Sequence, residues 1–253
     1  MSKNSFTIIS RRNLLGVFLR SFFIEACWNL ERMQNLGFFF AIYKPLMKIY
    51  QGTALKKAML LHLEFFNTHP YLGLPIMGST IAMEEERRLI PAGPKPEEIS
   101  QVKSRFSGPL AAAGDTFIWS IWKSLCFVLG AGVILLSKDA PNVWLGVLVP
   151  LTAFNIMHLW IMWRGLELGY QRKTSFVWLL QRLHYGRNAM HLSIIGLIMV
   201  IAIAVSLTLA SPYPVAFGWT FCIALFLSMR GLSVLTIMYV LLILIVLSFT
   251  FGR

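Results

Sequence analysis

The chain has 253 residues, of which 57% are hydrophobic and 13% are charged, and its formal net charge is +12. This composition excludes a disordered or low-complexity chain and indicates an integral membrane protein. In membrane proteins such an excess of Lys and Arg is typical of cytoplasmic segments that face anionic lipid. Nucleic acid is not expected as a partner, because the chain has no basic-aromatic interleaving and no finger spacing.

The first predicted element is an amphipathic helix from Arg12 to about Leu36. Its apolar residues recur at helical spacing, so the helix is expected to lie at the membrane surface. Glu25, Asn29 and Arg32 follow the border of the apolar face at i, i+4 and i+7. This polar seam is either a self-satisfied surface stripe or a support for the polar groups of the next segment.

Residues 62–78 form a polar stretch between apolar neighbours. Two histidines, a carboxylate, an amide and a hydroxyl fall within eight residues, namely His62, Glu64, Asn67, Thr68 and His69. Prolines and glycines then interrupt the helical pattern. Because unpaired polar groups are costly in a lipid-like environment, the pattern favours a re-entrant hairpin that carries a polar site. The alternative is an ordinary turn between two core helices, capped by Asn67 and Thr68.

A charged, Pro- and Gly-rich linker and a small-residue loop are predicted over residues 84–116. Asp115, one of two aspartates in the chain, either caps the helix that begins at Thr116 or contributes to a site. The predicted domains are therefore residues 1–83 with amphipathic helices and the hairpin, residues 84–116 as linker and loop, and residues 117–253 as a transmembrane region.

Five segments in the last region approach the length of about twenty apolar residues that crosses a bilayer. They are Phe117–Ser137, Val143–Trp163, Leu192–Ala210, Tyr213–Met229 and Leu232–Phe251. Residues 164–191 are basic and are predicted to be cytoplasmic, with a surface helix from Gln171 to His191. Basic segments share one side if the amino terminus is cytoplasmic and the carboxyl terminus is outside. The predicted fold class is an all-α integral membrane protein with amphipathic N-terminal helices, a re-entrant hairpin and about five transmembrane helices.

The polar stretch suits solute binding better than catalysis. His62 and His69 are seven residues apart with a proline after the second, unlike the i, i+4 histidines of a helical metal site, so neither a metal nor a cofactor is expected. The sequence also lacks a nucleophile elbow. A carboxylate and a carboxamide, as in Glu64 and Asn67, make paired hydrogen bonds to hydroxyl groups, and neutral His69 both donates and accepts. An intramembrane metalloenzyme remains a less favoured alternative.

Several motifs closely resemble the IID component of mannose/fructose/sorbose-type phosphotransferase systems. They occur in family order over roughly residues 12–170. They are Phe23–Gln34 with Gly37, His62–Pro70, Gly108–Asp115, Phe154–His158 and Gly165–Gly169. The spans after residue 170 resemble the family only in hydropathy, and the connections between them are shorter.

The resemblance implies an inner-membrane permease subunit that forms the sugar translocation unit with a IIC partner in a hetero-oligomer. Soluble IIA and IIB proteins carry the phosphoryl group in the family, and IID itself is not phosphorylated and is not an enzyme. On this hypothesis Glu64, Asn67 and His69 line or support the sugar cavity, and Asp115 anchors the neighbouring loop. The residues expected to support them from behind are Glu25, Asn29, Arg32 and His62. A IID-derived scaffold or regulatory protein without transport is the alternative.

Overall fold

A computed structural model describes residues 8–136, 140–175, 185–210, 214–230 and 240. The regular elements of these residues are helices, accompanied by two isolated β-bridges, which confirms the predicted all-α class. In chain order the α-helices are α1 Arg11–Ser21, α2 Asn35–Ile49, α3 Gly52–Leu61, α4 Leu74–Leu89, α5 Pro96–Gly114, α6 Ser124–Leu136, α7 Ala140–Arg172, α8 Tyr185–Ala210 and α9 Pro214–Met229. Short 3-10 turns cover Pro70–Leu72 and Lys173–Ser175, and a π-helical segment, Asp115–Lys123, joins α5 to α6.

The described residues belong to two compact units. One is drawn from Met1–Cys126 and Pro150–Ser193, and the other from Phe127–Val149 and Ile194–Arg253. The first unit contains every predicted site residue. It is therefore the unit in which the hairpin and its surroundings can be described.

The core of the first unit is built by α1, α2 and α4. On α2 the buried residues Phe38, Ala41, Ile42, Leu46 and Ile49 recur every three or four positions, so one face of the helix is apolar. On α4 every residue from Leu74 to Glu85 is buried. Each fully buried Ile, Leu or Phe side chain contributes about 1.5–3 kcal/mol to stability, which makes this core the support of the hairpin.

The N-terminal region differs from the single helix predicted from Arg12 to Leu36. Helix α1 ends at Ser21, turns follow, and α2 begins at Asn35. Met33 has a φ of 56°, a left-handed conformation that no α-helix contains. The Asn29 side chain accepts a hydrogen bond from the backbone N–H of Arg32 at 2.8 Å, and such local bonds favour turns over helix. The predicted polar seam is therefore part of a loop.

The segment predicted as linker and loop is helical over most of its length. Glu84 and Glu85 are buried residues of α4, and Ser107 to Gly114 lie within α5. Pro96 in the first turn, followed by two glutamates at the positive end of the helix, gives α5 a favourable start. The division of the chain into three domains stays a prediction.

Two helical stretches of the described residues are long and apolar enough to cross a membrane. They are Pro96–Leu135, which includes α5, the π-helical segment and α6, and Val143–Ser175, which is most of α7. Helix α7 continues to Arg172, so the first residues of the predicted cytoplasmic segment extend this helix. Helices α8 and α9 cover the third and fourth predicted spans. The predicted span Leu232–Phe251, apart from residue 240, and residues 176–184 of the predicted surface helix lie outside the described residues.

Helix α4 crosses α7 at very close range through glycines. A Cβ added to Gly169 would lie 2.0 Å from the carbonyl oxygen of Pro75, and one added to Gly78 would lie 2.3 Å from that of Leu166. Only glycine allows two backbones to approach so closely. This crossing fixes α4, and with it the end of the hairpin, against α7.

Candidate functional site: two paired polar loops

Two loops of the first unit pair with each other through their backbones. We call residues 22–34 the first loop and residues 62–69 the second loop. The N–H of Gln34 donates to the carbonyl of Phe66 at 2.8 Å, and the N–H of Phe66 donates to the carbonyl of Arg32 at 3.4 Å. Met33 and Phe66 form a parallel bridge there. The second loop is therefore held at a fixed register against the first.

The buried side chain of Gln34 strengthens this pairing. Its Nε2 donates to the carbonyl of Thr68 at 2.7 Å, and its Oε1 accepts from the N–H of Thr68 at 2.9 Å. The same Nε2 donates to Oε1 of Glu25 at 2.6 Å. Gln34 thus satisfies both backbone groups of one residue in the second loop. Sequence reasoning missed it, because the predicted helix placed Gln34 on a solvent-facing side.

Polar side chains at the end of the first loop and at the start of α2 contact the carbonyl of Leu63. Nδ2 of Asn35 donates to it at 2.9 Å, and NH1 of Arg32 donates to it at 3.3 Å. Asn29 donates to Oδ1 of Asn35 at 3.1 Å. Arg32 therefore contacts the second loop directly. Asn29 is linked to it through Asn35, and Glu25 through Gln34. The supporting role proposed for these three residues stays a prediction.

Glu64 of the second loop is paired with α5. Its Oε2 accepts a hydrogen bond from the hydroxyl of Ser100 at 2.5 Å and lies 3.5 Å from Nζ of Lys103. Lys103 is buried, donates to the carbonyl of Leu61 at 3.2 Å, and lies over the ring of Phe38. The side chain of Glu64 is 44% exposed, so part of the carboxylate stays open to a ligand. The helical register of α5, which sequence analysis treated as linker, brings these partners together.

Asn67 differs from its neighbours in being exposed. Thr68 and His69 beside it are buried, and the Thr68 hydroxyl donates to the carbonyl of Ser107 at 2.9 Å. No hydrogen bond of the Asn67 side chain occurs among the described residues, so its amide is available to a ligand or partner.

His62 is completely buried and is bound to Glu84 of α4. Its Nε2 lies 2.8 Å from Oε1 of Glu84, whose Oε2 accepts a hydrogen bond from the Tyr50 hydroxyl at 2.7 Å and lies 3.5 Å from Arg87. Burial lowers the pKa of His62, so the imidazole is neutral and its Nε2–H donates a hydrogen bond to the carboxylate. Burial opposes ionisation of Glu84, but the hydrogen bonds from His62 and Tyr50 outweigh it and lower the pKa of this carboxyl.

His69 lies in an aromatic environment next to the π-helical segment. Its ring centroid is 4.6 Å from that of Trp119 and 5.2 Å from that of Tyr71. The backbone N–H of Tyr71 donates a hydrogen bond to Nδ1 of His69. Burial lowers the pKa of His69 to about 4, although the carboxylate of Asp115 opposes this shift. Nε2 is buried without a hydrogen-bond partner among the described residues. Asp115 itself is exposed, and it lies near His69, directly after the last residue of α5 and at the start of the π-helical segment.

The predicted residues therefore fall into three environments. Glu64 and Asn67 are accessible on the second loop, His62 is part of a buried network, and His69 lies with Asp115 beside the π-helical segment. No cluster of three or more His, Cys, Asp or Glu side chains suited to a metal occurs among the described residues. An accessible carboxylate and carboxamide on one fixed loop are suited to binding hydroxyl groups.

The low pKa of His69 predicts a loss of stability in acid. In the unfolded chain the imidazole has a pKa of about 6.5. As the pH falls, the unfolded chain therefore takes up a proton at a higher pH than the folded protein does. The contribution of neutral His69 to folding stability is thus fully present above pH 6.5 and is lost as the pH falls towards 4. Thermal unfolding in detergent is expected to show a smaller drop in Tm between pH 7 and pH 5 for His69→Gln than for the parent chain. His191→Gln, which changes an exposed histidine, is the control, and an equal effect of both substitutions would refute the assignment.

The chain is similar to known phosphotransferase components over most of its length. The family model described as the PTS system mannose/fructose/sorbose family IID component matches residues 8–217. The mannose-specific EIID component of Escherichia coli strain K12 is 34% identical over 197 residues, which are 74% of this chain and 67% of that protein. The sorbose-specific EIID component of Lacticaseibacillus casei is 32% identical over 205 residues, covering 76% of this chain and 68% of the relative.

The chain is similar to solved structures that share its fold. One is a chain of the cryo-EM structure of the mannose transporter ManYZ in complex with microcin E492, with a TM-score of 0.60 and 27% identity over 96% of this chain and 97% of that chain. Another, described as a membrane protein, has a TM-score of 0.76 and 25% identity over the same shares. These similarities and the apolar helices identify a helical membrane protein. The chain belongs to the IID component family of the mannose/fructose/sorbose phosphotransferase system.

Proposed function

We propose that this chain is the membrane permease subunit IID of a mannose-type sugar phosphotransferase system, and that it forms the sugar translocation unit with a IIC partner. The observation that carries the proposal is the likeness to a chain of the ManYZ mannose transporter over 96% of the present chain. A likeness of that extent favours a transport subunit over a scaffold that has lost the transport fold.

The second loop supplies the sugar-facing groups in this proposal. Glu64 is held by Ser100 and Lys103 but keeps almost half of its side chain exposed, and Asn67 is free of intramolecular hydrogen bonds in the described structure. A carboxylate and a carboxamide together accept hydrogen bonds from vicinal hydroxyl groups and donate hydrogen bonds to them. The exposed ring of Phe65 between them suits the apolar face of a pyranose. His69 ends this loop with Asp115 beside it, and IIC completes the cavity.

The remaining features of the proposal concern placement and partners. The hairpin from α3 to α4 is re-entrant, the amino terminus faces the cytoplasm, the carboxyl terminus lies outside, and the membrane is the bacterial inner membrane. Basic segments at Arg11, Arg12 and Arg164–Lys173 support this orientation, because positive charges accumulate on the cytoplasmic side. Phosphoryl transfer takes place on the soluble IIA and IIB proteins, and IIB receives the sugar as it leaves the cavity.

Asn67→Ala is expected to lower sugar uptake by about tenfold in cells that also contain IIC, IIA and IIB. The substitution removes one or two hydrogen bonds to the sugar, each of which contributes about 0.5–1.5 kcal/mol. Because Asn67 is exposed, the amount of folded protein in the membrane should not change. The measurement is uptake of labelled sugar, normalised to the membrane levels of both subunits.

The matched control is Gln101→Ala, which removes an exposed amide from α5 outside the loops. Glu64→Gln tests the carboxylate in the same way and is expected to lower uptake as well. If uptake is unchanged in Asn67→Ala and Glu64→Gln at normal levels of both subunits, these residues do not contribute to transport.

A further inference from the structure

A pocket with two arginines lies in the first unit, between the start of α1 and the end of α7. Its volume is about 390 Å³, which is within the range of small-molecule sites. The lining includes Ile9, Arg11, Leu14, Arg164, Glu167 and Gln171. None of these side chains belongs to the two polar loops, so the pocket is distinct from the proposed sugar site.

Glu167 forms ion pairs with both arginines that line the pocket. Its Oε1 lies 3.1 Å from NH2 of Arg11, and its Oε2 lies 3.0 Å from NH1 of Arg164. The carboxylate side chain is 10% exposed, whereas the Arg11 and Arg164 side chains are 77% and 51% exposed. Arg11 also lies over the indole of Trp163, at 5.6 Å from its centroid. Each guanidinium has five N–H donors, so both keep donors free for a further anion.

The apolar side of the pocket is fixed by a second buried carboxylate. Glu85 of α4 accepts hydrogen bonds from the backbone N–H groups of Ile8 and Ile9, the latter at 3.0 Å, and from the hydroxyl of Tyr170. These bonds tie the residues before α1 to both α4 and α7. The pocket is therefore preformed, with Ile9 and Leu14 as its buried apolar wall.

The position and charge of the pocket suit a membrane surface. It lies at the basic end of α7, one of the two apolar stretches long enough to span a bilayer, and Trp163 is of the residue type that favours the interface. The three charged lining residues carry a net charge of +1, and exposed Arg12 and Arg172 adjoin the lining in sequence. Basic residues near an anionic membrane surface each add about 1 kcal/mol of attraction.

We propose that this pocket binds the phosphate group of an anionic phospholipid headgroup. Arg11 and Arg164 donate charge-assisted hydrogen bonds to the phosphate oxygens, a geometry that the planar guanidinium matches well. The amide of Gln171 faces the polar part of the headgroup, and Ile9 and Leu14 contact its glycerol carbons. The inference rests on the proposed placement of this end of α7 at the cytoplasmic membrane surface, but it does not depend on sugar transport.

The test is lipid binding by the purified full-length chain in a neutral detergent. Phosphatidylglycerol is titrated and the rise in Tm is followed, with phosphatidylcholine and inorganic phosphate as separate arms. Phosphatidylglycerol is expected to raise Tm, and Arg11→Gln is expected to weaken its apparent affinity by about tenfold or more, as for the loss of one hydrogen bond between charged groups. The control Arg12→Gln removes the same charge from the adjacent exposed residue and is expected to leave the affinity within about twofold.

Arg164→Gln, with Arg172→Gln as its control, repeats the comparison on α7. Because each variant is compared with its own lipid-free Tm, a loss of stability in the variant does not mimic a loss of binding. Equal shifts with phosphatidylglycerol and phosphatidylcholine would overturn the proposal, as would equal losses in Arg11→Gln and Arg12→Gln. A shift with inorganic phosphate and none with phosphatidylglycerol would assign the pocket to a soluble phosphate and overturn the lipid proposal. None of these readouts involves sugar uptake, so the proposed transport function can fail or hold independently.

Discussion

Glu84→Ala is expected to destabilise the first unit by about 2–6 kcal/mol, because each of the two buried hydrogen-bond donors that lose their acceptor costs about 1–3 kcal/mol. The carboxylate of Glu84 accepts from His62 and from the Tyr50 hydroxyl inside the core. Alanine leaves both donors buried without an acceptor and also opens a cavity. Since Nδ1 of His62 already has no partner among the described residues, the imidazole cannot regain the bond by turning in place. The expected observation is a large fall in Tm in detergent and in the amount of protein in the membrane.

The control is Glu86→Ala, two residues further along α4. Glu86 carries the same charge and forms an ion pair with Lys173 at 2.6 Å, but its side chain is 29% exposed and that of Lys173 is 40% exposed. An ion pair of this accessibility contributes about 0–1 kcal/mol. If both substitutions lowered Tm equally, the network around Glu84 would not be a special source of stability.

The helical class of this protein could be predicted because long apolar runs and helical periodicity are local properties of the sequence. The apolar parts of α7 and of α5–α6 follow from such runs, whereas α7 ends at Arg172, nine residues beyond the predicted span. The break after Ser21 could not be predicted in the same way, since the apolar spacing continues through residues 22–34. The first loop exists because Gln34 and Asn35 bond to Thr68 and Leu63, far away in sequence.

The same distinction applies to the polar residues. The sequence marks residues 62–69 as unusual, because polar groups are rare between apolar runs. It does not show which of them stay accessible. Glu84 and Glu85, expected in the charged linker, are buried because their partners His62, Tyr50 and Tyr170 come from other elements. The burial of Lys103 could not be predicted for the same reason, because its partner Glu64 lies on the second loop.

The crossing of α4 and α7 links the core of the hairpin to a membrane-spanning helix through backbone contact. Glycines are found on both helices where they touch, and Pro75 lies in the first turn of α4 at this point. Small residues at helix crossings let the two backbones approach closely. In lipid the hydrophobic effect does not drive helices together, so dispersion contacts between the closely packed backbones stabilise the crossing. A methyl group inserted here has no space, because the neighbouring atoms are backbone and cannot rotate away.

Gly169→Ala is therefore expected to destabilise the first unit by about 3 kcal/mol, at the upper end of the range for overpacking. The new Cβ would lie 2.0 Å from the carbonyl oxygen of Pro75, so α4 and α7 must separate. Gly16→Ala in α1 is the matched control, since its Cβ meets only the flexible end of Arg20 at 3.2 Å and alanine favours a helix by about 1 kcal/mol. Thermal unfolding of both variants in detergent is the measurement. A Gly169→Ala protein as stable as Gly16→Ala would mean that the two helices do not pack at glycine distance, and that the hairpin is not anchored to α7 in this way.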